Sequence, residues 1–160
     1  MAINRGKEFE EVVKQAFEKV PNTSIDRIHD QTNGFRGSKN ICDFIVYHYP
    51  NHYYIECKTV RGNILPFSNI TDRQWQGLLE KSKIKGVIAG VICWWADKDV
   101  TKFIPIQALD KLKRLCKKSI RYDDNSFDNL EIDGTKLRTF FRYDMEKFLN
   151  EVDDRKYKPK

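Results

Sequence analysis

Residues Ile41 to Lys58 read Ile-Cys-Asp-Phe-Ile-Val-Tyr-His-Tyr-Pro-Asn-His-Tyr-Tyr-Ile-Glu-Cys-Lys, and this stretch decides the fold. Two runs rich in β-branched and aromatic residues flank a Tyr-Pro-Asn turn signal, which predicts a β-hairpin. If the hairpin is symmetric about Tyr49-Pro50, Asp43 lies opposite Glu56. Opposed side chains on antiparallel strands come within about 5 Å of each other. The hairpin therefore predicts two carboxylates held side by side.

Two adjacent carboxylates repel each other, and a divalent cation between them removes the repulsion. Strand alternation places Tyr54, Glu56 and Lys58 on one face. Asp43 and Glu56 offer the hard oxygen ligands that Mg²⁺ or Mn²⁺ prefers, and the Cys57 backbone carbonyl is a further candidate ligand. Magnesium keeps several waters, one of which can attack a phosphodiester. Lys58 is placed to orient that water or to stabilise the phosphate. The hairpin thus predicts a divalent metal site with a lysine beside it.

A third acid is available from the amphipathic helix predicted over Asn4 to Val20. Glu10 falls beside Phe17 on the margin of its apolar stripe, whereas Glu8 and Glu11 point further outward. Glu10 either completes the metal shell or binds a second ion, or it simply favours the positive end of the helix dipole. Both interpretations stay open for Glu10, and the dipole role is preferred for the other two.

The other elements are predicted from periodicity, capping and turn signals. The most apolar run, Gly86 to Trp95, is typical of a strand buried on both faces at the centre of a sheet. Thr71 and Gln74 form a capping box that opens a helix ending near Lys83. The remaining elements are strands at Ser24–Ile28 and Thr101–Ile106, a helix at Ile106–Ser119, an edge strand within Lys136–Tyr143, a helix at Asp144–Val152, and loops at His29–Asn40, Thr59–Ile70 and Asn125–Gly134.

Length and composition favour one intracellular domain. The 160 residues suit a single domain over residues 1–152, followed by a charged tail over residues 153–160 that we expect to be frayed. The four cysteines form no CxxC pair, and three of them lie in apolar runs, which favours buried thiols in a reducing compartment. No apolar leader or membrane-spanning run is evident, so we expect a cytoplasmic protein without a membrane partner.

A net charge of +6 and a pI near 9.1 permit a polyanionic partner such as DNA. The predicted helix at Ile106–Ser119 has a basic outer face opposed only by Asp110. A solvated face is the ordinary interpretation of such a run, but beside the predicted metal site and its lysine we favour contact with phosphate. Gln74 serves the helix cap or also reaches the site. The candidate DNA-binding residues are Arg5, Arg27, Arg36, Lys39, Gln74, Lys113, Arg114, Lys117 and Lys118.

An acid followed on the next strand by acid-x-Lys resembles the signature of the PD-(D/E)xK nucleases. A wider set of motifs resembles the RecU-type Holliday junction resolvases within that superfamily, over roughly the first 94 residues. The matching motifs are Asn4-Arg5-Gly6 with Glu10, Cys42-Asp43-Phe44, Tyr54-Ile55-Glu56-Cys57-Lys58-Thr59, and Leu65-Pro66-Phe67-Ser68-Asn69 leading to Gln74.

This resemblance implies a restriction-endonuclease-like α/β fold, a mixed central sheet flanked by helices. It gives the active-site roles to Glu10, Asp43, Glu56 and Lys58, with Mg²⁺ or Mn²⁺ as cofactor. It also implies a homodimer that nicks two opposed strands of four-way junction DNA in a bacterial or phage-infected bacterial cell. A compact phage-encoded version would fit, because the loop corresponding to the family's protruding stalk, Ile28 to Asn40, is short.

Two other functions stay open at this point. The same chemistry would serve a nuclease acting on other branched or linear DNA, and the short loop makes junction selectivity less secure than nuclease activity. A non-catalytic DNA-binding module of the same fold is the other alternative. The intact Asp43, Glu56 and Lys58 speak against it, since a binding module need not keep opposed acids.

Overall fold

A mixed β-sheet runs through the middle of the protein, in a computed structural model that describes residues 4–29 and 40–155. The helices in these residues are α1 (Arg5–Glu18), α2 (Asp72–Ser82), α3 (Ile106–Arg114) and α4 (Met145–Arg155). The strands are β1 (Thr23–Arg27), β2 (Phe44–His48), β3 (Asn51–Val60), β4 (Ile64–Pro66), β5 (Val87–Trp95), β6 (Val100–Pro105), β7 (Ser119–Arg121), β8 (Leu130–Glu131), β9 (Gly134–Lys136) and β10 (Phe141–Tyr143).

The central sheet has the strand order β1-β2-β3-β5-β6-β8. Strands β3 and β5 are parallel, and the other neighbouring pairs are antiparallel. Helix α2 lies in the connection between the two parallel strands, as such a crossover requires. Strand β5 is buried along nearly its whole length between β3 and β6, which confirms the predicted central strand.

Two apolar clusters cover the two faces of this sheet. One contains the buried side chains of α1 and α4, including Phe9, Phe17 and Phe148. The other contains the buried side chains of α2 and α3, including Trp75 and Leu109. The predicted α/β fold, a mixed central sheet flanked by helices, is confirmed.

The hairpin of β2 and β3 has the predicted register. Phe44 pairs with Ile55, and His48 pairs with Asn51, so the pairing is symmetric about Tyr49-Pro50. Asp43, immediately before β2, therefore falls opposite Glu56. The period-2 alternation decides this register, because a slip of one residue would turn the buried Phe44 and Ile55 outward.

Helix α3 is shorter than predicted, and the expectation that it extends to Ser119 is wrong. It ends at Arg114, because Cys116 adopts a left-handed φ of 63° and the Lys117 amide donates to the Leu112 carbonyl at 3.0 Å. This is a Schellman end without the glycine that usually marks one. Leu115, the first residue after the helix, is 66% exposed.

Several short strands lie where loops were predicted. Strand β4 lies within the predicted loop Thr59–Ile70 and pairs with β7, and β8 lies within the predicted loop Asn125–Gly134 and pairs with β6. The single edge strand expected within Lys136–Tyr143 is instead the β9–β10 hairpin. Such short strands form through pairing with distant residues, which the local sequence does not report.

Helix α4 continues past the predicted end at Val152 to Arg155. Asp153 lies in this extra turn and accepts hydrogen bonds from the Asn51 amide and the Tyr53 hydroxyl, both at 2.7 Å. These contacts tie the end of the helix to the hairpin and account for the added turn. The rest of the predicted tail, residues 156–160, lies outside the described residues.

Candidate active site

Asp43 is held at the start of β2 by its neighbours on both sides. Its carbonyl accepts from the Ile28 amide at 2.9 Å, and its amide donates to the Ile55 carbonyl at 3.1 Å. Its Oδ2 accepts from the Cys57 amide at 2.8 Å. The aspartate is thus fixed by the hairpin backbone, and its carboxylate is turned toward β3.

Glu56 and Lys58 lie on the same face of β3, as strand alternation predicts. Lys58 Nζ lies 2.8 Å from Glu56 Oε1, and the Gln74 side-chain amide donates to the same oxygen at 2.8 Å. Glu56 is only 3% exposed, so these contacts form in a largely dry environment. The site therefore holds a buried acid and a partly buried lysine side by side, opposite a second acid.

Gln74 both caps α2 and reaches the site, so the two predicted roles coexist. In the capping box, its backbone amide donates to the Thr71 hydroxyl oxygen at 3.2 Å. Its Oε1 accepts from the Thr71 amide at 3.0 Å, and Lys58 Nζ lies 3.5 Å from the same oxygen. The first turn of α2 is thereby tied to the face of β3 that carries Glu56.

Burial makes both carboxylates costly to ionise. Burial, and then the charge of Asp43, raise the pKa of Glu56 to about 7, although Lys58 opposes the shift. Burial also raises the pKa of Asp43, against the hydrogen bond from the Cys57 amide and the charge of Lys58. The positive charge of Lys58 therefore does not offset the cost of ionising Glu56 in this buried position.

The residues present fit a divalent cation. Glu56 Oε2 is buried and has no hydrogen-bond partner, which is the state expected of an oxygen whose partner is an ion. The Cys57 amide points toward Asp43, and the carbonyl of the same strand residue points to the same strand edge. Asp43, Glu56 and the Cys57 carbonyl would therefore hold the ion. Within residues 4–29 and 40–155, no group of three or more His, Cys, Asp or Glu side chains is arranged as a metal site.

Glu10 is engaged by an arginine. Its Oε2 lies 3.1 Å from Arg27 Nη1, and Arg27 Nη2 lies 3.2 Å from Glu11. Burial, and then the charge of Asp43, raise the pKa of Glu10, so it lies within electrostatic range of the aspartate. The structure thus brings Glu10 near the pair but directs it to Arg27. The ion pair was missed because it joins α1 to the last residue of β1, a contact that helix phase alone does not report.

The candidate DNA-binding residues differ in their contacts and exposure. Lys113 Nζ lies 4.4 Å from the centre of the Trp75 ring, and Arg114 lies 2.8 Å from Asp110. Lys117 and Lys118 are exposed in the segment between α3 and β7, rather than on the helix as predicted. Arg5 is half-buried in the first turn of α1. Arg36 and Lys39 lie outside the described residues.

Further observations concern the cysteines, the tryptophans at the end of β5 and membrane-spanning segments. Cys42, Cys57 and Cys93 are buried free thiols, as expected, and Cys116 is exposed. Trp94 and Trp95 are buried and pack in the core. No helix in the described part of the chain has the length and apolar character needed to cross a membrane.

Comparisons with known proteins add a fold-level likeness. No family model matches the chain, and no curated protein matches its sequence. Among solved structures, it is similar to Hjc, a Holliday junction resolvase from the hyperthermophilic archaeon Archaeoglobus fulgidus. The two are 14% identical, with 81% of this chain and 88% of that chain covered and a TM-score of 0.45. A structural similarity this weak supports no conclusion about function, which is inferred below from the geometry of the site.

Proposed function

We propose that the protein is a metal-dependent DNA endonuclease that resolves Holliday junctions by nicking two opposed strands. The observation that carries the proposal is the pairing of half-buried Asp43 with buried Glu56, with an unpartnered Glu56 oxygen and Lys58 beside them. A protein that used this hairpin only for folding would gain stability by replacing either acid. The pair is explained by a ligand of positive charge, and its chemistry is that of phosphodiester hydrolysis.

The side chains of the site have separable roles in this mechanism. Asp43, Glu56 and the Cys57 carbonyl hold Mg²⁺ or Mn²⁺, which supplies positive charge that makes water more acidic and stabilises charge on the phosphodiester. Lys58 donates a hydrogen bond from Nζ to the attacking water or to a phosphate oxygen. Gln74 holds the Glu56 carboxylate and thereby orients it. No nucleophilic side chain is needed, because water attacks the phosphorus.

The DNA-binding surface is proposed from the basic residues that are free to meet phosphate. Lys117 and Lys118 are exposed and lie next to β7, which pairs with the β4 segment that leads into α2. Arg5 is half-buried in the first turn of α1, and Arg27 lies near Asp43, since its charge opposes the rise in the pKa of that carboxyl, while it also pairs with Glu10. Basic residues of this kind around the two acids favour a polyanionic partner.

Junction selectivity follows from symmetry. A four-way junction presents two equivalent strands, and a homodimer presents one site to each of them. We therefore propose a homodimer as the active form. Nucleases that act on a single duplex need no such pairing, so this part of the proposal is tested separately from cleavage itself.

The deciding experiment compares cleavage of a four-way junction, a Y-fork and a linear duplex, each with Mg²⁺ and with EDTA. We expect metal-dependent paired nicks in the junction alone. Equal cutting of all three would support a nuclease of broader substrate range, and no cutting of any would favour the DNA-binding module.

The site assignment is tested with Asp43→Asn and, as a matched control, Gln76→Ala on the exposed side of α2. Asp43→Asn should abolish nicking while leaving junction binding unchanged or stronger, because it removes a negative charge from a phosphate-facing site. Gln76→Ala should nick at the wild-type rate. Wild-type nicking by Asp43→Asn would refute the assignment.

A further inference from the structure

A close contact joins α2 to the segment that delivers Asp43. Gly77 lies in α2, one turn after Gln74, and a Cβ built on it would lie 2.3 Å from Ile41 Cγ2 and 2.6 Å from Ile41 Cβ. Real Cβ atoms do not approach other atoms this closely, so any side chain at position 77 must displace one of the two segments. Ile41 precedes Asp43 by two residues.

Helix α2 is the more firmly held of the two partners. Its N-terminus carries a full capping box, and Trp75 and Leu78 are 1% and 0% exposed in the core. Ile41 is half-buried and lies in irregular chain before β2. A side chain at position 77 would therefore push Ile41, rather than the helix.

A displacement of Ile41 is transmitted to Asp43 through Cys42. Cys42 is 2% exposed, so the segment has little room to absorb the movement between the two residues. The Asp43 carboxylate is oriented by the 2.8 Å hydrogen bond that its Oδ2 accepts from the Cys57 amide. A shift of a few tenths of an ångström lengthens or misaligns that bond.

We infer that Gly77 is a positioning residue for Asp43. Because Gly77 has no side chain, Ile41 can pack directly against α2, and this contact holds the Asp43 carboxylate so that it faces Glu56. Helix α2 then sets both acids, Glu56 through the side chain of Gln74 and Asp43 through the contact of Gly77 with Ile41. The inference rests on the proposed metal-dependent nuclease for its effect on activity. Its effect on the position of Asp43 does not depend on that function.

The test uses Gly77→Ala, the double variant Gly77→Ala with Ile41→Gly, and Gln76→Ala as a control on the same helix. Ile41→Gly removes both atoms that would clash with the new Cβ. Alanine by itself favours a helix over glycine, so Gly77→Ala adds no loss of helix propensity. If the two substitutions acted independently, their effects would add in the double variant. If they act through the same clash, Ile41→Gly should instead restore what Gly77→Ala impairs.

The activity readout is the Mg²⁺ concentration at half-maximal junction nicking, together with the nicking rate at saturating Mg²⁺. We expect Gly77→Ala to raise the first and lower the second, each about 10-fold, since small misplacements near reacting groups are costly. The double variant should recover most of both changes, and Gln76→Ala should match the wild type. A Gly77→Ala protein with wild-type metal dependence and rate would overturn the inference.

The second readout needs neither metal nor DNA. Hydrogen exchange of the Cys57 amide, measured by NMR in the presence of EDTA, reports its bond to Asp43 directly. We expect exchange about 10-fold faster in Gly77→Ala and near the wild-type rate in the double variant. Unchanged exchange in Gly77→Ala would overturn the inference. If the wild type neither nicks nor responds to Mg²⁺, the proposed nuclease fails, and this measurement still decides the role of Gly77.

Discussion

Replacing Glu56 by glutamine should stabilise the metal-free protein at pH 8. Glutamine has the shape of a protonated glutamate, so the variant removes the cost of ionising a carboxyl that is only 3% exposed. The pKa of Glu56 is raised from its ordinary 4.5 to about 7 by burial and by Asp43. At about 1.4 kcal/mol per pKa unit, this difference corresponds to about 3 kcal/mol.

The sign of the pH dependence follows from that direction. A carboxyl whose pKa is raised on folding contributes its full stability below its unfolded pKa and loses it as the pH rises through the folded pKa. Wild type and Glu56→Gln should therefore have similar melting temperatures near pH 4.5. The variant should melt about 6–12 °C higher at pH 8, given about 2–4 °C per kcal/mol for a chain of this size.

The assay is thermal unfolding followed by circular dichroism in EDTA at both pH values. Glu80→Gln, which changes an exposed acid of α2, serves as the control and should show no such difference between the two pH values. Adding Mg²⁺ at pH 8 should raise the melting temperature of the wild type and leave that of Glu56→Gln unchanged, because binding to the folded state stabilises it. A Glu56→Gln protein that melts at or below the wild type at pH 8 would refute the account of the buried acid.

Substitutions in the basic segment, the hairpin anchor and the central strand test other parts of the structure. Alanine at Lys117 and Lys118 should weaken DNA binding to all sequences and reduce the slope of log affinity against log salt by about 1 per lysine, and an unchanged slope removes the segment from the interface. Asp153→Ala leaves the buried Tyr53 hydroxyl without its partner and should lower the free energy of unfolding by about 1–3 kcal/mol in urea titrations. Gly90→Ala places a Cβ 2.4 Å from the carbonyl oxygen of Ile104 and should cost about 1–3 kcal/mol in the same measurement; a neutral effect would mean that β5 and β6 lie further apart.

Features written in local sequence were predictable. The register of the β2–β3 hairpin follows from its turn and its alternation, and the structure confirms it. The capping box at Thr71 and the buried strand β5 follow from residue types at short spacing, and both are present. The facing of Asp43 and Glu56 needed no information beyond this hairpin.

Features made by contacts between distant segments were not predictable in the same way. The capping role of Gln74 follows from its spacing from Thr71, but its hydrogen bond to Glu56 depends on how α2 crosses the sheet. Glu10 was phased correctly on α1, while its partner Arg27 is set by the packing of α1 on β1. The end of α3 was missed because Cys116 stands at the left-handed position where glycine would have given a signal.

The hydrogen bonds that Asp153 accepts from the hairpin have a consequence for folding during synthesis. Asn51 and Asp153 are 102 positions apart, so the hairpin leaves the ribosome long before the residue that anchors it. The α4 side chains that complete the core with Phe17 also arrive late, and at 5–20 residues per second this leaves a delay of several seconds or more. During that interval the hairpin that carries the acid pair lacks its contacts with α4, and the apolar face of the sheet that α4 covers is accessible to chaperones.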